Sequence, residues 1–128
     1  MKLLLDTHIF IWWADQPEKL SSAALFALED EANDLLLSVA SVWEMQIKMQ
    51  LGKLKLSLPL KELVKNQPEI NDLTILSVTL THVLTLMLCP FITKTPFDRL
   101  LIAQSIEEGL TIVTADSKLS AYSVKLLQ

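Results

Sequence analysis

The sequence predicts an α/β fold built on a parallel sheet, and three observations carry that expectation. Short apolar runs occupy consecutive rather than alternating positions, as strands covered on both faces require. Segments with helical spacing of apolar residues lie between those runs, so strand alternates with helix. The chain has 128 residues, 51% hydrophobic and 20% charged, which suits one domain spanning 1–128 with one core and excludes a disordered chain.

Lys2-Leu3-Leu4-Leu5, closed by Asp6, is the first strand. Asp34-Leu35-Leu36-Leu37-Ser38 repeats its design, Leu73 to Val78 and Leu110 to Val113 supply two more, and Val124 to Leu127 is a weaker fifth. Helical patterns cover Ile9–Ala14, Ala23–Glu31, Val39–Leu51, Leu60–Gln67, Leu80–Leu88 and Pro96–Glu108. Both glycines, Gly52 and Gly109, follow helical segments and read as helix stops. Leu73 to Thr93 carries no formal charge, yet seven Ser, Thr or His residues and Pro90 interrupt it. It reads as a strand and a short buried helix, not as a membrane span.

Fifteen acids against eleven bases give a net charge of −4, and no basic run offers a footprint for nucleic acid. Taken alone, that balance argues against an RNA or DNA partner. The single cysteine, Cys89, cannot close an internal disulfide, and the N-terminus lacks the zones of a signal peptide, so a cytoplasmic protein is expected. The apolar excess points to a partner surface.

In an open α/β sheet, ligands bind beyond the carboxyl ends of the strands, so the acids placed there matter most. Asp6 and Asp116 each end a strand, and each suits either an N-cap or a ligand role. Thr95-Pro96-Phe97-Asp98 has the order of a capping box with proline at the first helical position. Glu44 lies four residues before Lys48, the favourable order for a helix ion pair. Ser41, Glu44 and Lys48 form a polar stripe, while Val39, Trp43, Ile47 and Leu51 mark the apolar side. Together the four acids can reach one rim. Crowded carboxylates repel unless a cation sits among them, and oxygen-only donors suit Mg²⁺ or Mn²⁺ and, through them, a phosphodiester.

The segments Leu-Leu-Leu-Asp6-Thr7-His8, Ser38-Val-Ala-Ser41-Val-Trp43-Glu44, Leu51-Gly52-Lys53-Leu54, Pro96-Phe97-Asp98-Arg99 and Thr114-Ala115-Asp116 resemble, in order and spacing, the PIN-domain nucleases. More narrowly, they resemble the VapC-like toxins of type II toxin–antitoxin systems. The resemblance spans nearly the whole chain. It implies a three-layer α/β/α sandwich with a central parallel sheet of four or five strands, and an Mg²⁺ or Mn²⁺ site that cleaves RNA. Asp6, Glu44, Asp98 and Asp116 match the family's acidic quartet. Asp6, Asp98 and Asp116 are then the expected metal ligands, and Glu44 orients or deprotonates the attacking water. Thr7 and Thr114 match supporting hydroxyls, Ser41 stands beside Glu44, and Arg99 is a candidate phosphate contact. Many relatives carry His-Arg-Asp just before Pro-Phe-Asp, where this chain has Thr93-Lys94-Thr95.

A cognate antitoxin and a homodimer are the expected protein partners. Trp12 and Trp13 point about 100° apart on one helix, so they cannot share the centre of one core face; exposure of one at a partner surface and partial burial at a core edge are both open. His8 borders the acids and His82 reads as structural. Two rival readings are a receiver-like domain that binds Mg²⁺ and accepts a phosphoryl group, and a catalytically silent interaction module. Setting the quartet aside leaves eleven acids against eleven bases, so the net charge can reside in one crevice. The scarcity of basic clusters then predicts modest RNA affinity or help from a second subunit.

Overall fold

A computed structural model describes residues 1–71, 73–88, 95–117, 119 and 125–128, with 66–71 as backbone only. Cys89, Pro90, Thr93, Lys94 and Val124, named above, lie outside the described residues. Five parallel strands form one sheet: β1 (Lys2–Leu5), β2 (Asp34–Ser38), β3 (Leu73–Leu76), β4 (Thr111–Val113) and β5 (Lys125–Leu127), in the order β3-β2-β1-β4-β5. The helices are α1 (Thr7–Asp15), α2 (Ser22–Glu29), α3 (Val39–Gln50), α4 (Leu60–Asn71), α5 (Leu80–Thr85) and α6 (Pro96–Glu108). Short 3-10 turns cover Pro17–Lys19 and Leu86–Leu88.

Alternation along the strands separates the two layers. Leu3, Leu5, Leu35, Leu37, Leu73 and Val113 pack against Ile9, Phe10, Ala24, Leu28 and Met45 of the first three helices. Leu4 and Ile112 face the other way, onto Leu101, Ile102 and Ala103 of α6. Strand β1 is therefore buried on both faces, which is why its leucines are consecutive. Each such leucine contributes about 1.5–3 kcal/mol by leaving water.

Winding runs outward from β1 to β2 to β3 and then returns to place β4 on the other side of β1. The β1/β4 boundary is thus the switch point, where crevices open at the carboxyl edge. A receiver-like domain has the order 2-1-3-4-5, so this topology removes that rival.

Local chemistry sets the element ends. Helix α1 begins at Thr7, two residues before its apolar spacing shows, because the Asp6 carboxylate accepts the Thr7 N–H at 2.7 Å. Strand β3 stops at Leu76, short of the expected Val78, ahead of Thr79, the N-cap of α5. Gly109 closes α6 with φ 65°, a left-handed conformation open to glycine.

Two expectations are corrected. Helix α3 turns its polar stripe inward, with Ser41, Glu44 and Met45 buried, but its apolar side does not face the core: Val39, Trp43 and Leu51 are exposed, Trp43 by 58%, and Ile47 is half-buried. Its polar stripe faces protein because hydroxyl and ammonium partners satisfy Glu44 there. Trp12 and Trp13 are both half-buried, the core-edge alternative, and the exposed tryptophan is Trp43. The α5 region is not a buried helix either, since Leu80, Val83, Leu84, Met87 and Leu88 all face solvent. Its inward anchors are polar, His82 and Thr85. No helix among the described residues is long and apolar enough to cross a membrane.

An acidic site at the carboxyl edge of the sheet

Asp6 ends the central strand, and its backbone N–H extends the ladder to the Val113 carbonyl at 3.0 Å. One carboxylate oxygen accepts the Thr7 N–H at 2.7 Å and the other accepts the Thr114 hydroxyl at 2.8 Å. The same Thr114 oxygen accepts the Asp116 N–H at 3.0 Å. A single hydroxyl across the β1/β4 boundary therefore fixes Asp6 and the backbone of Asp116 together. This occurs because β1 and β4 are adjacent in space although 108 residues separate the two partners.

Glu44 approaches from α3. Its Oε1 accepts the Thr7 hydroxyl at 2.7 Å, and its Oε2 lies 2.9 Å from Lys48 Nζ, one turn along the helix. The side chain is only 8% exposed, so both partners act in a screened environment. Ser41, one turn earlier on the same helix face, is fully buried, and its hydroxyl has no hydrogen-bond partner among the described residues.

Asp98 stands in the first turn of α6, where the Thr95 hydroxyl accepts the N–H groups of Phe97 and Asp98 at 3.1 and 3.5 Å. The forward half of the expected cap is thus present. Burial first, and then the charges of Asp6, Glu44 and Asp116, together push the Asp98 carboxyl up to about 7 against the pull of Lys48. Asp98 therefore lies within the fields of the other three acids. Burial also raises Asp6, opposed by the Thr114 bond, by His8 and by the Thr7 N–H.

Among the described residues, no three His, Cys, Asp or Glu side chains stand close enough to ligate one ion together. The donor set is nevertheless all oxygen, and burial together with neighbouring carboxylates raises the proton affinity of Asp6 and Asp98. That chemistry suits a hard divalent cation held by one or two carboxylates, with water completing its shell. Arg99 is placed differently: its Nη2 donates to the Leu86 carbonyl at 3.0 Å, tying α6 to the turn after α5.

Reading the residues singly missed a contact that joins two of these acids. Trp43 and Phe97 stack edge to face with ring centroids 5.4 Å apart, bringing α3 to the start of α6. The available signal was that each aromatic directly precedes a candidate acid.

A family model described as the PIN domain matches residues 3–125. Among curated relatives, Ribonuclease VapC22 of Mycobacterium tuberculosis is 29% identical over 131 aligned positions, covering 94% of this chain and 91% of the relative. Among solved structures, VapBC2 from Rickettsia felis bound to a DNA fragment from its promoter aligns with a TM-score of 0.75 at 17% identity, covering 99% of this chain and 98% of that one. A toxin–antitoxin complex from Klebsiella pneumoniae aligns with a TM-score of 0.62 at 16% identity, covering 98% of this chain and 96% of that one.

Proposed function

The chain belongs to the PIN-domain family, and from that premise we propose that it is a metal-dependent endoribonuclease acting in the cytoplasm as the toxin of a type II toxin–antitoxin pair. The observation that carries this reading is the hydrogen-bond network through Thr7 and Thr114 that joins Asp6, Glu44 and the Asp116 backbone at the β1/β4 switch point, with Asp98 within the fields of these acids. The ribonuclease name of the VapC22 relative and the toxin–antitoxin complexes among the structural neighbours support it. A cognate antitoxin and a second copy of the chain are the proposed protein partners.

Asp6 and Asp98 would hold Mg²⁺ or Mn²⁺, with Asp116 joining the shell through water. Bound there, the cation supplies neutralisation of the crowded carboxylates and Lewis acidity toward a phosphodiester oxygen and a water. Thr114 fixes the Asp6 rotamer, and Thr7 fixes Glu44. Glu44 orients the attacking water and accepts its proton. Ser41 offers one more hydroxyl beside it. Lys48 neutralises Glu44 between turnovers, and Arg99 contacts a substrate phosphate by exchanging its bond to Leu86.

The test is cleavage of single-stranded RNA by the purified chain with Mg²⁺ or Mn²⁺, against the same reaction in EDTA. Asp6→Asn and Asp98→Asn are expected to lose activity by about a hundredfold or more, in line with the loss of a charge-stabilising group. Equal cleavage by these variants, or in EDTA, would sink the assignment.

A further inference from the structure

A basic, aromatic-lined pocket adjoins the acidic site, and we propose that it seats the single-stranded RNA backbone beside the scissile phosphate, with one base stacked on Trp12. This deepens the nuclease reading and rests on it. The pocket encloses about 420 Å³ between α1, the Pro17–Lys19 turn and the loop that follows α3, within the size range of small-ligand sites. Lys19, Lys48, Lys53 and Lys55 line it against one carboxylate, Asp15. The Asp15 carboxylate accepts the N–H and the hydroxyl of Ser57, so it pins the loop carrying Lys53 and Lys55 to α1. Among the described residues, Lys19, Lys53 and Lys55 have no ion-pair partner.

The end of α3 builds this cluster. Gly52, at φ 73°, lets its N–H reach the Met49 carbonyl at 3.1 Å and the Lys53 N–H reach the Lys48 carbonyl at 2.8 Å. That closing turn folds the chain back so that Lys53 and Lys55 share a pocket with Lys48. Lys48 belongs to both places, since its Nζ is 2.9 Å from Glu44. Trp12 and His8 form the wall, with ring centroids 6.1 Å apart and planes at 55°. Ammonium groups without carboxylate partners bind phosphates, and an aromatic wall takes a base of any identity. The expectation of no basic cluster is therefore corrected. Lys48, Lys53 and Lys55 fall within eight residues of sequence, and the fold brings Lys19 and Trp12 to them.

The probe is a fluorescent single-stranded oligouridylate of about eight nucleotides, bound in EDTA so that no cleavage intervenes. Lys53→Ala/Lys55→Ala is expected to weaken binding about tenfold at low salt, and to reduce the slope of log affinity against log salt by about 1.4, or ~0.7 per phosphate contact. Trp12→Leu is expected to weaken it at least about fivefold. Mn²⁺-dependent hydrolysis of bis(4-nitrophenyl) phosphate, too small to need the pocket, stays at the parent rate in both variants.

Unchanged RNA affinity and salt slope in the lysine variant overturn the proposal, as does a parent chain that does not bind the oligonucleotide in EDTA. Retained RNA binding with lost binding of polyglutamate also overturns it, assigning the pocket to an acidic protein segment. In each of those cases, cleavage of RNA by the parent chain shows that the nuclease reading survives. A parent chain that hydrolyses neither RNA nor the small diester sinks both.

Discussion

Trp43 and Phe97 meet edge to face, with planes at 83°, and each is the residue directly before a site carboxylate, Glu44 and Asp98. Near solvent, this pair is what closes α3 onto the first turn of α6. Such contacts contribute about 0.5–1.5 kcal/mol beyond the area they bury. A double-mutant cycle of Trp43→Ala and Phe97→Ala, followed by urea unfolding, is expected to show a coupling in that range. Each single variant should also bind Mn²⁺ more weakly, because the two carboxylates lose their fixed separation. Additive unfolding energies with unaltered metal affinity would remove the clamp.

Asp98 makes the metal-free protein sensitive to pH. Its carboxyl is pushed up to about 7 in the fold, against about 3.9 in an unfolded chain. Between those values the folded state holds a proton that the unfolded state lacks. The resulting stability is fully present below about pH 4 and is lost as pH rises through about 7. Asp6 is raised too and acts in the same direction. The melting temperature in EDTA should therefore rise as pH falls from about 8 to about 6, and Asp98→Asn should flatten that trend. Mn²⁺ affinity should rise over the same interval as the competing proton leaves. A parent profile as flat as the variant's would contradict the coupling.

Much of this fold is legible because its strands are apolar on consecutive positions. Leu3-Leu4-Leu5 fits only a strand covered on both faces, and Thr95-Pro96 marks the start of α6. The ends of strands in turn directed attention to Asp6 and Asp116. The apolar side of helix α3 was misread because periodicity assumes that apolar residues face the core. Here Glu44 finds Thr7 and Lys48 inside instead, and Trp43 is left outside against Phe97. The Asp6–Thr114 bond and the lysine pocket were invisible for a different reason. Asp6 and Thr114 lie far apart in the chain and meet through the strand order, while the turn at Gly52 and the packing of α1 bring Lys48, Lys53 and Lys55 together with Lys19.

Thr7 joins the first helix to the third, donating its hydroxyl to Glu44 at 2.7 Å. Thr7→Val keeps the shape but leaves a buried carboxylate oxygen without that donor, a cost of about 1–3 kcal/mol. Thermal unfolding should register this, and RNA cleavage should fall because Glu44 is no longer held in one rotamer. Thr7→Ser restores the hydroxyl, so recovery of both properties is expected. If Thr7→Ser cleaves as poorly as Thr7→Val, the methyl group rather than the hydrogen bond is what matters.

His82 lies on α5 and is 1% exposed. Its Nδ1 accepts the Thr79 N–H at 3.0 Å, so Nε2 carries the hydrogen and donates to Glu108 at 2.9 Å. That network pins α5 to the end of α6, and the metal-site carboxylates are not among its partners. Replacing His82 with alanine removes a buried ring and strands the Thr79 N–H, which should cost about 2–4 kcal/mol on denaturant unfolding. Glu108 is half-exposed, so Glu108→Gln, which still accepts the Nε2–H, should cost under about 1 kcal/mol. Cleavage per folded molecule and Mn²⁺ affinity should stay at parent values in both variants. A drop in metal affinity for His82→Ala at a temperature where it remains folded would show that α5 supports the acidic site as well as the core.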